Sequence, residues 1–263
     1  MGITRITIKK IFIVLLVTFA FAKVHSQGPP LTADKPIMLG GGSFIAKTLT
    51  EIRVSEDGTA TRVPLMLHYL PTSNTLVAVH LPYVTYNYDD FRGSGSTLGD
   101  INIVGKYQFY RKDGTGKTFR MVAKTLQTLP TGEALDIEGI STGKYSGYYG
   151  VVAGYESLKY GISNEAGYSW MPDGSLDKLV YKLGFGLPLL KPTYPVNQLN
   201  LYFEYSSEWF LERDQFELLY AQGIQYARKQ WTWEAGVQVP LSQNVPEAIE
   251  RKYSIYLGTR FIL

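Results

Sequence analysis

From residue 43 to residue 263, apolar and polar side chains alternate with a period of two, and no sustained 3.6-residue pattern interrupts them. Successive side chains of a strand point to opposite faces, so this pattern makes strands with one greasy and one polar face. The C-terminal half shows it most clearly. Leu179, Tyr181, Leu183, Phe185 and Leu187 alternate with Lys178, Val180, Lys182, Gly184 and Gly186, and Trp231, Trp233, Ala235, Val237 and Val239 with Thr232, Glu234, Gly236 and Gln238. The polar face carries many charges, and a charge facing hydrocarbon costs about 2 to 4 kcal/mol near the bilayer midplane. Greasy and charged faces of this length fit a sheet closed on itself, lipid outside and water inside.

Turn residues divide the chain at 56–58, 71–74, 89–99, 112–116, 130–144, 156–157, 172–176, 190–197, 211–213, 229 and 241–252. Eleven connections make twelve strands, each of about the 9 to 11 residues, or slightly more, of a tilted bilayer crossing. The expected fold is all-β, a membrane-spanning antiparallel up-and-down β-barrel over residues 43–263. The longest connections, 89–99, 130–144 and 241–252, fall at one end, and short ones such as 71–74 and 156–157 at the other. Trp170 and Trp209 then lie near the long-loop rim and Trp231 and Trp233 near the opposite rim, as two aromatic girdles require. A soluble sandwich would also alternate, but with shorter and less aromatic edge strands. Pro64 and Pro82 sit inside expected strands and predict a bulge or register shift.

Ahead of the strands, Arg5, Lys9 and Lys10 precede an apolar run, 11–22, broken by Thr18 alone. That run is too short to span as a helix and reads as a secretory signal peptide, residues 1–26, cleaved before Gln27 or alternatively before Lys23. Residues 27–42 form a short N-terminal segment. The leader holds four of the 26 basic residues and none of the 23 acidic ones, so the mature charge is near neutral. Electrostatics therefore make no case for a nucleic-acid partner. The expected location is the bacterial outer membrane, with its lipid as one partner.

Little in the sequence points to catalysis. The chain has no cysteine, and the histidines after the leader are His68 and His80. No Ser-His spacing matches a barrel hydrolase, and Gly116-Lys117-Thr118 lacks the opening glycine of a phosphate loop, since Arg111 stands there. No metal, cofactor or enzyme activity is expected. The inward face is more informative: alternation places Lys47, Glu51, Arg53, Arg62, Lys106, Lys159, Glu165, Lys178, Lys182, Glu204, Glu217, Glu234 and Arg260 there. Twelve strands enclose a narrow, partly filled lumen. Its charges either set a field across a wet passage or form salt bridges that brace the wall.

Gly99-Asp100-Ile101-Asn102-Ile103-Val104-Gly105-Lys106-Tyr107, followed after a strand by Leu129-Pro130-Thr131-Gly132, resembles the outer-membrane barrel family named for the putative MetA pathway of phenol degradation. The resemblance implies a transporter of small molecules, with uptake of aromatic compounds suggested by the family name. Gly99 is expected to adopt positive φ and Asp100 to bond its own turn. The C-terminal residues, with Tyr256, Gly258, Phe261 and Leu263, are similar to the signal that delivers such proteins to the barrel assembly machinery. Function classes in expected order are a passive pore for small molecules, possibly apolar or aromatic in the family's sense, a structural or surface-interaction barrel, and last an enzyme such as a lipid hydrolase.

Overall fold

A computed structural model describes residues 31–89, 93–135, 140–174, 177–190, 193, 196–212, 214–245 and 250–263. The expected leader lies outside them. The described residues form thirteen strands: β1 (Phe44–Ser55), β2 (Gly58–Thr72), β3 (Thr75–Tyr88), β4 (Ser94–Leu98), β5 (Ile101–Gly114), β6 (Lys117–Leu129), β7 (Ser146–Ser157), β8 (Gly161–Trp170), β9 (Lys178–Pro188), β10 (Asn197–Phe210), β11 (Gln215–Arg228), β12 (Trp231–Asn244) and β13 (Arg251–Ile262). Each pairs antiparallel with its neighbours, and β13 pairs with β1 from Ile45↔Ile262 to Ser55↔Arg251, closing the sheet. β4 and β5 both pair with β3, end to end, and make one stave, so the barrel has twelve. Closure leaves no unpaired edge, which hydrocarbon would not tolerate.

The two faces sort as alternation predicts. Leu65 (49%), Tyr149 (54%) and Trp209 (55%) are exposed on the outer wall, whereas Glu204 (1%), Gln225 (0%) and Ser254 (0%) are buried inside. Trp209 projects outward near the long-loop end, and Trp231 and Trp233 stack at the tight-turn end, where Phe261 packs against Trp231 with ring centroids 4.6 Å apart. Trp170 ends β8 at the long-loop rim and meets Tyr145 edge to face.

The two prolines behave differently. Pro64 and Pro82 face each other across β2 and β3, both fully buried. At Pro64 the β1–β2 ladder is interrupted between Lys47↔Met66 and Glu51↔Arg62, yet the register is the same on both sides. At Pro82 the register does shift: Leu81 and Pro82 stand opposite Gly99, Asp100 and Ile101, between the pairs His80↔Asn102 and Tyr83↔Leu98. The Gly99 N–H donates to the Pro82 carbonyl at 2.9 Å. A proline offers no N–H to the ladder, and the extra residue opposite it absorbs the loss.

Three local expectations change. The expected loop 89–99 contains β4, whose residues pair with the far end of β3. Gly99 does not adopt positive φ, whereas Gly143 does, at 64°. The β5–β6 turn expected over 112–116 narrows to Thr115-Gly116, with Gly116 at φ 66°. Asp113 instead ends β5, accepting a 2.5 Å hydrogen bond from the Thr118 hydroxyl.

Candidate functional site: a strapped lumen

The barrel interior holds the charges that alternation assigned to it, with one exception. Lys106, Glu165, Lys178, Lys182, Glu204, Glu217, Glu234 and Arg260 project inward, as do Lys47, Glu51, Arg53 and Arg62. Lys159 does not: it lies exposed in the β7–β8 turn, beyond the last residue of β7, where strand parity no longer governs facing. Most of the inward charges are neutralised by close neighbours. Lys178 donates to Glu208 at 2.5 Å, Lys47 pairs with Glu234 at 3.0 Å, and Arg251 bridges Glu217 (3.3 Å) and Glu51 (3.7 Å).

Residues 31–42 run inside this lumen as a strap. The Glu204 carboxylate, in the middle of β10, accepts from the Leu31 N–H (2.6 Å), the Thr32 N–H (2.7 Å), the Thr32 hydroxyl (2.5 Å) and the Ala33 N–H (2.7 Å). Charge-assisted bonds of this kind are about twice as strong as neutral ones. Asp34 pairs with Lys106 (2.5 Å) and Lys124 (3.0 Å), and Lys124 also donates to Glu165 at 2.7 Å. Burial opposes the Asp34 charge, but the two ammonium groups outweigh it and hold the carboxyl well below the usual range. Lys35 pairs with Glu156 at the tight-turn end of β7; burial pushes this ammonium down, against the pull of Glu156.

Small residues in the wall make room for the strap. A Cβ at Gly223 or Gly236 would collide with the Leu31 side chain, and one at Gly154 would come within 2.8 Å of Pro36. Further along, Met38 and Leu39 pack with Ile45, Leu70, Leu76, Ala78, Val104, Val122 and Val152, an apolar cluster at the tight-turn end of the lumen. Gly40, Gly41 and Gly42 (φ 82°) then carry the chain into β1, with the Gly42 N–H donating to the Leu70 carbonyl at 2.7 Å.

The long-loop end has a roof. Leu135 and Ile140, from the β6–β7 connection, are buried against Ala60, Val84 and Tyr88. Asp100 (3% exposed) holds that connection down: its carboxylate accepts from the backbone N–H groups of Gly132 (3.1 Å), Thr142 (2.9 Å) and Gly143 (2.9 Å). Asp100 thus bonds a loop more than thirty residues away rather than its own turn. The Thr131 hydroxyl accepts from the Ile101 N–H at 3.0 Å, and a Cβ on Gly132 would lie 2.5 Å from the Gly99 carbonyl carbon. The two short motifs of the sequence resemblance are therefore one structural joint.

Under the roof, a cavity of about 330 Å³ is lined by Arg62, Lys178 and Lys182 together with Asn102, Thr128, Tyr148 and Met171. His68 and His80 also face inward, on β2 and β3, their rings stacked with centroids 5.3 Å apart. Neither Nε2 has a hydrogen-bond partner among the described residues.

Sequence reasoning missed Lys124, Glu208, Arg251, Asp34, Lys35 and Glu156. Glu208 was within reach, since it keeps the parity of Glu204. Lys124 shares its face with Arg120, Val122 and Leu126, a mixture that leaves the facing of this strand open until the strap's own apolar residues supply a partner inside. Nothing in residues 27–42 signals a strand or helix, and the contacts that dock Leu31 to Lys35 on the wall are long-range.

Closed antiparallel staves, an apolar girdled exterior and a charged interior define a barrel of the membrane-spanning type. An outer membrane channel from Pseudomonas putida F1 shares this fold at a TM-score of 0.62 and 13% identity, over 90% of this chain and 100% of that one. The β domain of the Bordetella autotransporter BrkA superposes at a TM-score of 0.51 and 15% identity, over 85% and 100%. The sequence matches no protein-family profile and no curated protein.

Proposed function

We propose that this chain is an outer-membrane channel for small molecules, related to the barrel family its Gly99–Asp100 and Pro130–Gly132 motifs resemble, and that its own N-terminal strap limits conduction. The observation that carries the reading is the clamp of Leu31, Thr32 and Ala33 by Glu204 inside a lumen otherwise lined with polar and charged groups. A barrel that served only as a wall has no need of a polar interior occupied by a tethered segment. In this reading the long loops face the exterior and the tight turns the periplasm.

The test is conductance in planar bilayers. The intact chain should give small or rare current steps, and a variant lacking residues 31–41 should give steps several-fold larger while keeping the heat-modifiable gel migration of a folded barrel. A folded deletion variant that passes no current would leave the structural-barrel reading in its place.

A further inference from the structure

The cavity beneath the roof holds two cations, Arg62 and Lys182, that form no close ion pair with a carboxylate among the described residues. Arg62 makes no ion pair or hydrogen bond among the described residues, and its Nε is buried with nothing to donate to. Lys182 reaches the Thr32 carbonyl at 3.3 Å, and no carboxylate lies within ion-pair distance of it among the described residues. The acids around them are already engaged. Asp100 is taken by three backbone N–H groups, Glu208 by Lys178, Glu51 by Arg53, and Glu165 by Lys124 and the Tyr148 hydroxyl. The carboxylates that face them across the ladder, Glu51 for Arg62 and Glu165 for Lys182, are each held by a closer cation, and an entering anion would give Arg62 and Lys182 a counter-charge of their own.

We propose that this cavity binds a small organic carboxylate, its anionic end at Arg62 and Lys182 and its apolar body against Leu126, Ile140 and Met171. A guanidinium fork matches the two oxygens of a carboxylate, and the ammonium adds a second donor of the same sign. The apolar wall distinguishes an organic acid from an inorganic anion, which would leave that wall wet. At about 330 Å³ the cavity stands at the small end of ligand pockets, so the solute is compact. The location suits a first binding site on the way in from the long-loop side. That use rests on the channel reading above; the binding itself does not.

Titration calorimetry on the detergent-solubilised mature protein, with pentanoate as probe, tests the site. Pentanoate should bind saturably and at least ten-fold more tightly than 1-pentanol, pentylammonium or sulfate. Arg62→Gln and Lys182→Gln should each weaken it ten-fold or more, and Arg62→Lys by less. Gel migration shows which variants fold, and Arg62→Lys keeps the charge should Arg62→Gln fail. No preference for pentanoate over pentanol, equal binding of sulfate, or indifference to both substitutions in folded protein would overturn the proposal. Pentanoate binding in a strap-deleted barrel that passes no current would sink the channel reading alone; current without binding would sink this one alone.

Discussion

At the scale of single residues, Glu204 and Asp34 divide the work of holding the strap. Glu204 satisfies three consecutive backbone N–H groups, and its removal leaves three donors in a buried lumen, each at a cost of about 1 to 3 kcal/mol. Glu204→Ala should therefore undock residues 31–41 while the wall, held by strand pairing, stays intact. The native chain contains no cysteine, so a single one placed at Leu39 reports docking through its rate of maleimide labelling. Labelling should be slow in the parent and several-fold faster with Glu204→Ala; equal rates would show that the clamp does not set docking. Asp34 adds a pH dependence of definite sign. Its carboxyl is held below the ordinary value, so its contribution is complete above the free-aspartate pKa of about 3.9 and is lost only as pH falls through the lower, docked value. Acidification from pH 7 to 5 should slow the Leu39 label only as far as it slows the label of an undocked thiol, and a smaller fall over that interval would assign docking to some other group.

At the scale of elements, the staves were legible in the sequence because one face of each meets lipid and the other the lumen, and a one-residue slip would invert every side chain. β9 and β12 read correctly residue by residue for that reason. Legibility fails where a second element covers the face. Val122 and Leu126 share one face of β6 with Arg120 and Lys124, and that face stays ambiguous until Met38 and Leu39 of the strap are seen beside the same cluster. β4 was hidden because Ser94, Gly95 and Ser96 carry turn chemistry while pairing with β3 as far as Asn87. The charged site was half legible: parity found the wall's share, and the strap's share has no periodic signature. The joint between Gly99-Asp100 and Gly132 allows a test at this scale. Gly132→Ala pushes a methyl into the Gly99 backbone, where nothing flexible can give way. The roof connection should become sensitive to added protease, with the folded barrel still heat-modifiable. A roof as resistant as the parent's would show that Asp100 alone secures it.

At the scale of the whole molecule, the two ends of the lumen are narrowed by different chemistry. An apolar cluster shared between strap and wall lies at the tight-turn end, and Leu135 and Ile140, drawn down through Asp100, cover part of the long-loop end. Between them lie the ion-paired strands and the cationic cavity. The paired lysines and glutamates brace the wall locally, while Arg62 and Lys182 are left to face the cavity. Wall bracing and solute contact thus fall to different members of the same inward face.

The three glycines between strap and β1 make residues 31–39 a ligand that never leaves its receptor. A segment tied by so short and pliant a leash sees its own site at an effective concentration on the order of millimolar, however dilute the protein. Rebinding is then unimolecular, and each opening is brief and insensitive to dilution. A free peptide of residues 31–42, added from the tight-turn side, should restore closure to the strap-deleted barrel and should match the intact chain's occupancy only as it nears that same concentration.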